Sequence, residues 1–165
     1  KAAALTLAGD SLKGFLPLVF FAILRRFFPA GVDDLTIILV GLGAFFGHLY
    51  PIFFELKGGK GVATAFGVLL GWNPVVALLS VGIWGAVFWN TKISSLSALT
   101  AAGFAVIATI FYAPLDYLRP AVFVMVGMLI YRHRSNIERL IKGEEIPFGQ
   151  SKPLSDDDDD DNDED

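Results

Sequence analysis

Apolar residues run along this chain in long blocks broken by short polar punctuation. They show neither the alternation of a half-buried strand nor the single stripe of a soluble helix. The first block runs from Ala2 to Leu24 and ends at Arg25-Arg26. Gly14 and Pro17 inside it predict a bend. Asp33-Asp34 can cap a second helix over 35–49, and Pro51 biases Tyr50 away from helix. After Lys57-Gly58-Gly59-Lys60-Gly61 a helix resumes at Val62 and reaches Gly71, where Asn73-Pro74 breaks it. Further apolar blocks cover 75–89, 93–112 and 117–131, and a basic amphipathic segment follows over 132–142.

A bilayer is crossed by about 20 consecutive apolar residues. The block over 62–71 has about half of that length, so it is too short to cross unaided. The pattern therefore predicts an all-α polytopic integral membrane protein with six transmembrane segments, one of them short and broken. Lys and Arg concentrate on the cytoplasmic side of such proteins. Six crossings place nine cations on the side holding both termini and three on the other, with Lys13 left inside a span. Five crossings give eight against four. The six-span arrangement also puts the Gly/Lys loop and the basic segment after Tyr131 on one face. Trp72, Trp84 and Trp89 partly fit an interfacial belt.

Composition agrees with the pattern. The chain is 54% hydrophobic, 18% charged and has a mean hydropathy of +0.57. Nine of its seventeen acids fall in the last ten residues, so the net charge of −4 describes that end rather than the apolar part. We divide the chain into a transmembrane domain over 1–148 and an acidic tail over 149–165, whose acid run is expected to be disordered. The absence of cysteine excludes disulfides, thiolate metal sites and a cysteine nucleophile. Neither composition nor motif points to nucleic acid, a metal or a cofactor. Nothing in the sequence fixes an oligomeric state.

Three polar groups carry candidate chemistry. In Lys57-Gly58-Gly59-Lys60-Gly61 the glycines let successive N–H groups converge on an anion. The helix beginning at Val62 adds its positive end, and two lysines add full charges. A flexible basic turn is the competing reading. The loop is not a Walker A sequence, because Phe54 stands where Gly is required and Gly61 where Ser or Thr is. The second group is His133, Arg134, Asn136 and Arg139. His133 can act as acid, base or donor near neutrality, and Arg139 can hold a phosphate. The competing reading is a juxtamembrane basic segment attracted to lipid headgroups. Glu145 can pair with one of these cations. The third group is Asp10 with Lys13, three apart on one helix face, and read as an internal pair. His48 reads as a hydrogen-bonded packing residue.

The stretch Gly47-His48-Leu49-Tyr50-Pro51-Ile52-Phe53-Phe54-Glu55-Leu56-Lys57-Gly58-Gly59-Lys60-Gly61-Val62-Ala63-Thr64 resembles the second motif of the bacterial acyl-phosphate:glycerol-3-phosphate acyltransferases, the PlsY family. His133-Arg134-Ser135-Asn136-Ile137-Glu138-Arg139-Leu140, continuing to Gly143 and Glu145, resembles that family's third motif. Asp10 to Pro17 is similar to its second span, and Leu56 replaces a usual aromatic.

The resemblance implies a seven-span enzyme of the bacterial inner membrane with its site on the cytoplasmic face. Its first span and first motif, which supply a serine and an arginine, would precede the point matched by Lys1-Ala2. Six of seven spans are thus expected here, and a non-catalytic relative is one alternative. The implied reaction moves a fatty acyl group from acyl phosphate to the sn-1 hydroxyl of glycerol 3-phosphate, giving lysophosphatidic acid and phosphate without cofactor or metal. The implied catalytic set is His133, Asn136 and Lys60. Lys57, Gly58, Gly59, Lys60, Gly61, Thr64 and Arg139 would bind glycerol 3-phosphate, and Glu145, His48, Asp10 and Lys13 would be structural. A transporter of a phosphorylated metabolite is the second alternative, favoured by the broken segment and the Asp10–Lys13 pair.

Overall fold

The structure is a computed structural model that describes residues 2–56, 58–112 and 117–150. Its regular structure there is entirely helical. The helices are α1 (Ala2–Phe27), α2 (Asp34–Leu49), α3 (Val62–Trp72), α4 (Pro74–Thr91), α5 (Ser94–Tyr112), α6 (Leu118–Arg132) and α7 (Arg134–Lys142), with one 3₁₀ turn over Ile52–Phe54. Among the described residues, four helical stretches are long and apolar enough to cross a membrane: Ala4–Phe27, Asp34–Phe54, Pro74–Thr91 and Ser94–Tyr112. The outer surface suits lipid, with Phe20, Leu78, Ile107 and Phe123 all more than half exposed. The acid run past Gln150 lies outside the described residues.

The helix ends follow local chemistry. The Asp33 carboxylate caps α2 by accepting from the Thr36 N–H at 2.7 Å, which satisfies an otherwise orphaned donor. Asn73 closes α3 through its N–H to the Leu69 carbonyl. It also opens α4, accepting from the Val76 N–H at 3.1 Å with Pro74 in the first helical turn. α1 runs unbroken through Gly14 and Pro17. The helix is not interrupted at the predicted bend, and Gly14 has a packing role. A Cβ there would lie 2.5 Å from the Thr64 carbonyl oxygen of α3.

α3 is the centre of the protein. Gly67 lies against the Ser11 carbonyl of α1, and a Cβ on Gly71 would lie 2.5 Å from Leu18 Cδ1. Small residues at a four-residue spacing let two helix backbones approach closely in a membrane. On its other side Trp72 fits against Gly41 of α2 and donates its indole N–H to the Ile37 carbonyl at 3.2 Å. Phe45, Leu49 and Val68 are fully buried, beside Met125 and Val122 of α6. Trp72 is therefore packed between helices and partly buried. Trp84 stacks on Phe88 at 4.9 Å, and Trp89 is 76% exposed beneath the Lys92 ammonium.

Candidate active site

The polar loop over 58–61 joins the end of α2 to the start of α3. Its three described glycines have separate physical causes. Gly61 takes φ +83, a left-handed conformation that glycine adopts without penalty, and forms the N-cap of α3. Gly58 is pressed on the His48 and Leu49 carbonyls, where no Cβ fits. A Cβ on Gly59 would stand 2.6 Å from His48 Nε2. The Gly58 N–H donates to the Leu49 carbonyl at 3.2 Å. That corrects the converging-amide expectation at Gly58, whose amide closes the loop onto α2. The first turn of α3 has no side-chain cap, so its N-terminal N–H groups keep their attraction for an anion. Lys57 lies outside the described residues.

Opposite the loop, α6 ends and α7 begins at His133, which is only 2% exposed. His133 Nδ1 is 2.8 Å from the Leu129 carbonyl. A carbonyl only accepts, so Nδ1 carries the hydrogen and neutral Nε2 carries the lone pair. Burial holds the imidazole pKa below its ordinary value, and the nearby Lys60 charge acts in the same direction. Lys60 is itself lowered from the ordinary lysine value, chiefly by desolvation.

Asn136, one turn along α7 and 4% exposed, gives its side-chain N–H to Glu145 Oε1 at 2.7 Å. Its Oδ1 is buried and has no partner among the described residues. Glu145 also accepts from the Ser95 hydroxyl at 2.5 Å and from Arg139 Nε at 2.7 Å. Burial raises its pKa, but the Ser95, Asn136 and Arg139 hydrogen bonds outweigh this and hold it below the ordinary carboxylate value. The segment after Gly143 is drawn back over α5 in this way, and the Phe148 N–H adds a bond to the Lys92 carbonyl at 2.7 Å.

Lys60, His133, Asn136, Glu145 and Ser95 line the mouth of one cavity of about 510 Å³. From there it continues between α3, α4, α5 and α6 past Leu69, Trp84, Ala101, Ala105, Met125 and Val126. It joins a charged, hydrogen-bonding end to an apolar arm between the helices. A second, smaller cavity lies behind the loop, bounded by Lys13, His48, Gly58 and Gly59.

The remaining sequence candidates fall in other places. Thr64 is fully buried against α1 and lines neither cavity; its hydroxyl has no partner among the described residues. Arg139 is paired with Glu145. Asp10 pairs with Lys13 at 2.6 Å and lies 3.7 Å from His48 Nδ1, behind the loop. Two residues escaped sequence reasoning. Ser95 is an unremarkable helix-start serine until Glu145 is folded onto it. Arg132 donates to the Gly58 and Gly59 carbonyls, a role that its place next to His133 hinted at and charge counting hid.

The buried His133 imidazole, the unpaired Asn136 oxygen and Lys60 thus meet at the mouth of an apolar cleft in a helical membrane protein. The comparisons give the family. The model of the glycerol-3-phosphate acyltransferase family matches residues 1–143. The glycerol-3-phosphate acyltransferase of Paraburkholderia phytofirmans is 43% identical over 152 residues, which is 92% of this chain and 70% of that protein. That of Neisseria meningitidis serogroup C is 43% identical over 92% of this chain and 75% of its own length. Crystal structures of PlsY, an integral membrane glycerol 3-phosphate acyltransferase, superpose with a TM-score of 0.81 at 38% identity. The lysophosphatidic acid form covers 90% of this chain and 74% of its own; the glycerol 3-phosphate form covers 90% and 72%. The chain belongs to the glycerol-3-phosphate acyltransferase family and is a multi-pass membrane acyltransferase.

Proposed function

We propose that the chain transfers a fatty acyl group from acyl phosphate to the sn-1 hydroxyl of glycerol 3-phosphate at the cavity bounded by Lys60, His133 and Asn136. The observation that carries this reading is the junction, within one cavity, of a cationic hydrogen-bonding mouth and an apolar arm. The first suits glycerol 3-phosphate and the second an acyl chain. Lys60 and the N-terminal amides of α3 hold phosphate charge, and a preorganised site of this kind stabilises the charge that develops during transfer. Gly58, Gly59 and Gly61 shape the loop that carries Lys60, and Lys57 adjoins it.

Nε2 of His133 accepts a hydrogen bond from the sn-1 hydroxyl and aims its oxygen at the acyl carbonyl carbon. Asn136 Oδ1 accepts from a second substrate hydroxyl. The new ester C–O bond forms as the bond from acyl carbon to phosphate oxygen breaks. The leaving phosphate keeps that electron pair and takes the hydroxyl proton, so the products are lysophosphatidic acid and inorganic phosphate. The mixed anhydride supplies the driving force, and no metal or coenzyme A enters the balance. Glu145, with Ser95 and Arg139, fixes Asn136. The Asp10–Lys13 pair and His48 support the loop from behind. The site faces the cytoplasm of a bacterial inner membrane, where Lys and Arg collect. Purified protein given acyl phosphate and glycerol 3-phosphate should release phosphate and form lysophosphatidic acid. Uptake of glycerol 3-phosphate into vesicles without release would contradict the reading.

A further inference from the structure

One guanidinium reaches across from α6 to the loop. Arg132 Nε donates to the Gly59 carbonyl at 3.2 Å, and a terminal nitrogen donates to the Gly58 carbonyl at 2.5 Å. Its guanidinium carbon stands 5.7 Å from the ring centroid of Tyr50, the C-cap of α2. A planar fork on two successive carbonyls is a contact that arginine makes and lysine does not. From the opposite side the loop is held by the Gly58 N–H on Leu49 and by His48 under Gly59.

We propose that Arg132 is a positioning residue: by clamping the Gly58 and Gly59 carbonyls it holds the loop, and with it the Lys60 that binds the phosphate of glycerol 3-phosphate, in register with His133. This rests on the acyltransferase reading above. The clamp also ties the loop to the residue next to His133, so the phosphate-holding and hydroxyl-orienting halves of the site keep one spacing. Arg132 acts through the backbone it holds, and the loop carries its effect to substrate.

The test is a steady-state comparison of wild type, Arg132→Lys and Arg132→Ala in detergent, titrating each substrate in turn. Arg132→Ala should raise the KM for glycerol 3-phosphate on the order of ten-fold, since misplacement of a positioned group costs rate steeply. The KM for acyl phosphate should stay within about two-fold, because the apolar arm is untouched. Arg132→Lys should fall between, and added guanidinium ion should lower the raised KM of Arg132→Ala. If wild type turns over and the glycerol 3-phosphate KM of both variants is unchanged, the clamp has no positioning role. The same holds if both KM values move together without guanidinium rescue. Wild type that neither turns over nor binds glycerol 3-phosphate in a thermal-shift titration overturns the acyltransferase reading, and this proposal with it.

Discussion

The Nδ1 of His133 lies 2.8 Å from the carbonyl oxygen of Leu129, one helical turn back. That single contact decides which nitrogen can meet a substrate. With Nδ1–H donating, the lone pair is on Nε2, and burial disfavours the imidazolium that would remove it.

The consequence is a pH dependence with a definite sign. His133 has a folded pKa lowered from 6.5, so the neutral ring persists to a pH under that value. Protonation of Nε2 removes the acceptor, so kcat should fall on acidification through a point below pH 6.5 and stay flat above it. His133→Gln should lower kcat by roughly 10²-fold or more. Its residual rate should lack this acid limb, which separates the histidine from the titration of the substrates' own phosphates. An unchanged limb in His133→Gln would assign the titration elsewhere.

Gly59 and His48 form a second testable pair. A Cβ at position 59 would lie 2.6 Å from His48 Nε2, so Gly59→Ala must push either the loop or the ring away. The exposed loop is the softer of the two, and the KM for glycerol 3-phosphate should rise about ten-fold with a smaller loss of stability. Shrinking the neighbour should relieve this: Gly59→Ala with His48→Ala should recover most of the affinity, giving a coupling of about 1 kcal/mol in a double-mutant cycle. Strictly additive effects would mean that the two residues do not press on each other.

Glu145 holds three donors, on α5 and α7, and is mostly buried. Its folded pKa lies below 4.5, so its contribution to stability is present above that value and is lost as pH falls through the lowered one. Glu145→Gln should cost about 1–3 kcal/mol at neutral pH, because it weakens charge-assisted hydrogen bonds and leaves a donor facing donors. The difference in melting temperature between the two proteins should shrink as pH drops below 4.5. A gap that holds constant across that range would show that the carboxylate's charge does not matter.

Much of this protein is legible in its sequence because a bilayer imposes long apolar blocks and positively charged edges. The boundaries at Asp33, Asn73 and Gly143 announce themselves through capping chemistry that needs only neighbours. The proximity of Lys60 to His133 follows from placing two polar segments on one face. What stayed hidden depends on contacts far apart in the chain. Gly14 serves as a helix-packing notch, and the reason for that sits on α3. The loop glycines read as an anion nest, yet Gly58 and Gly59 are small because His48 and Leu49 leave no room for a Cβ. The pairing of Arg139 with Glu145 depends on the segment after Gly143 folding back over α5. Thr64 reads as part of the loop motif, but helical phase turns it toward α1.

The account rests on cleavage at the acyl carbon, and one labelling experiment tests that step. Acyl phosphate carrying ¹⁸O in the bridging oxygen is incubated with the purified protein and glycerol 3-phosphate. Acyl transfer predicts lysophosphatidic acid and phosphate in equal amounts, with the label in the phosphate, since the bond from acyl carbon to bridging oxygen is the one that breaks. Label retained in free fatty acid, or phosphate released with no lysophosphatidic acid, would contradict it.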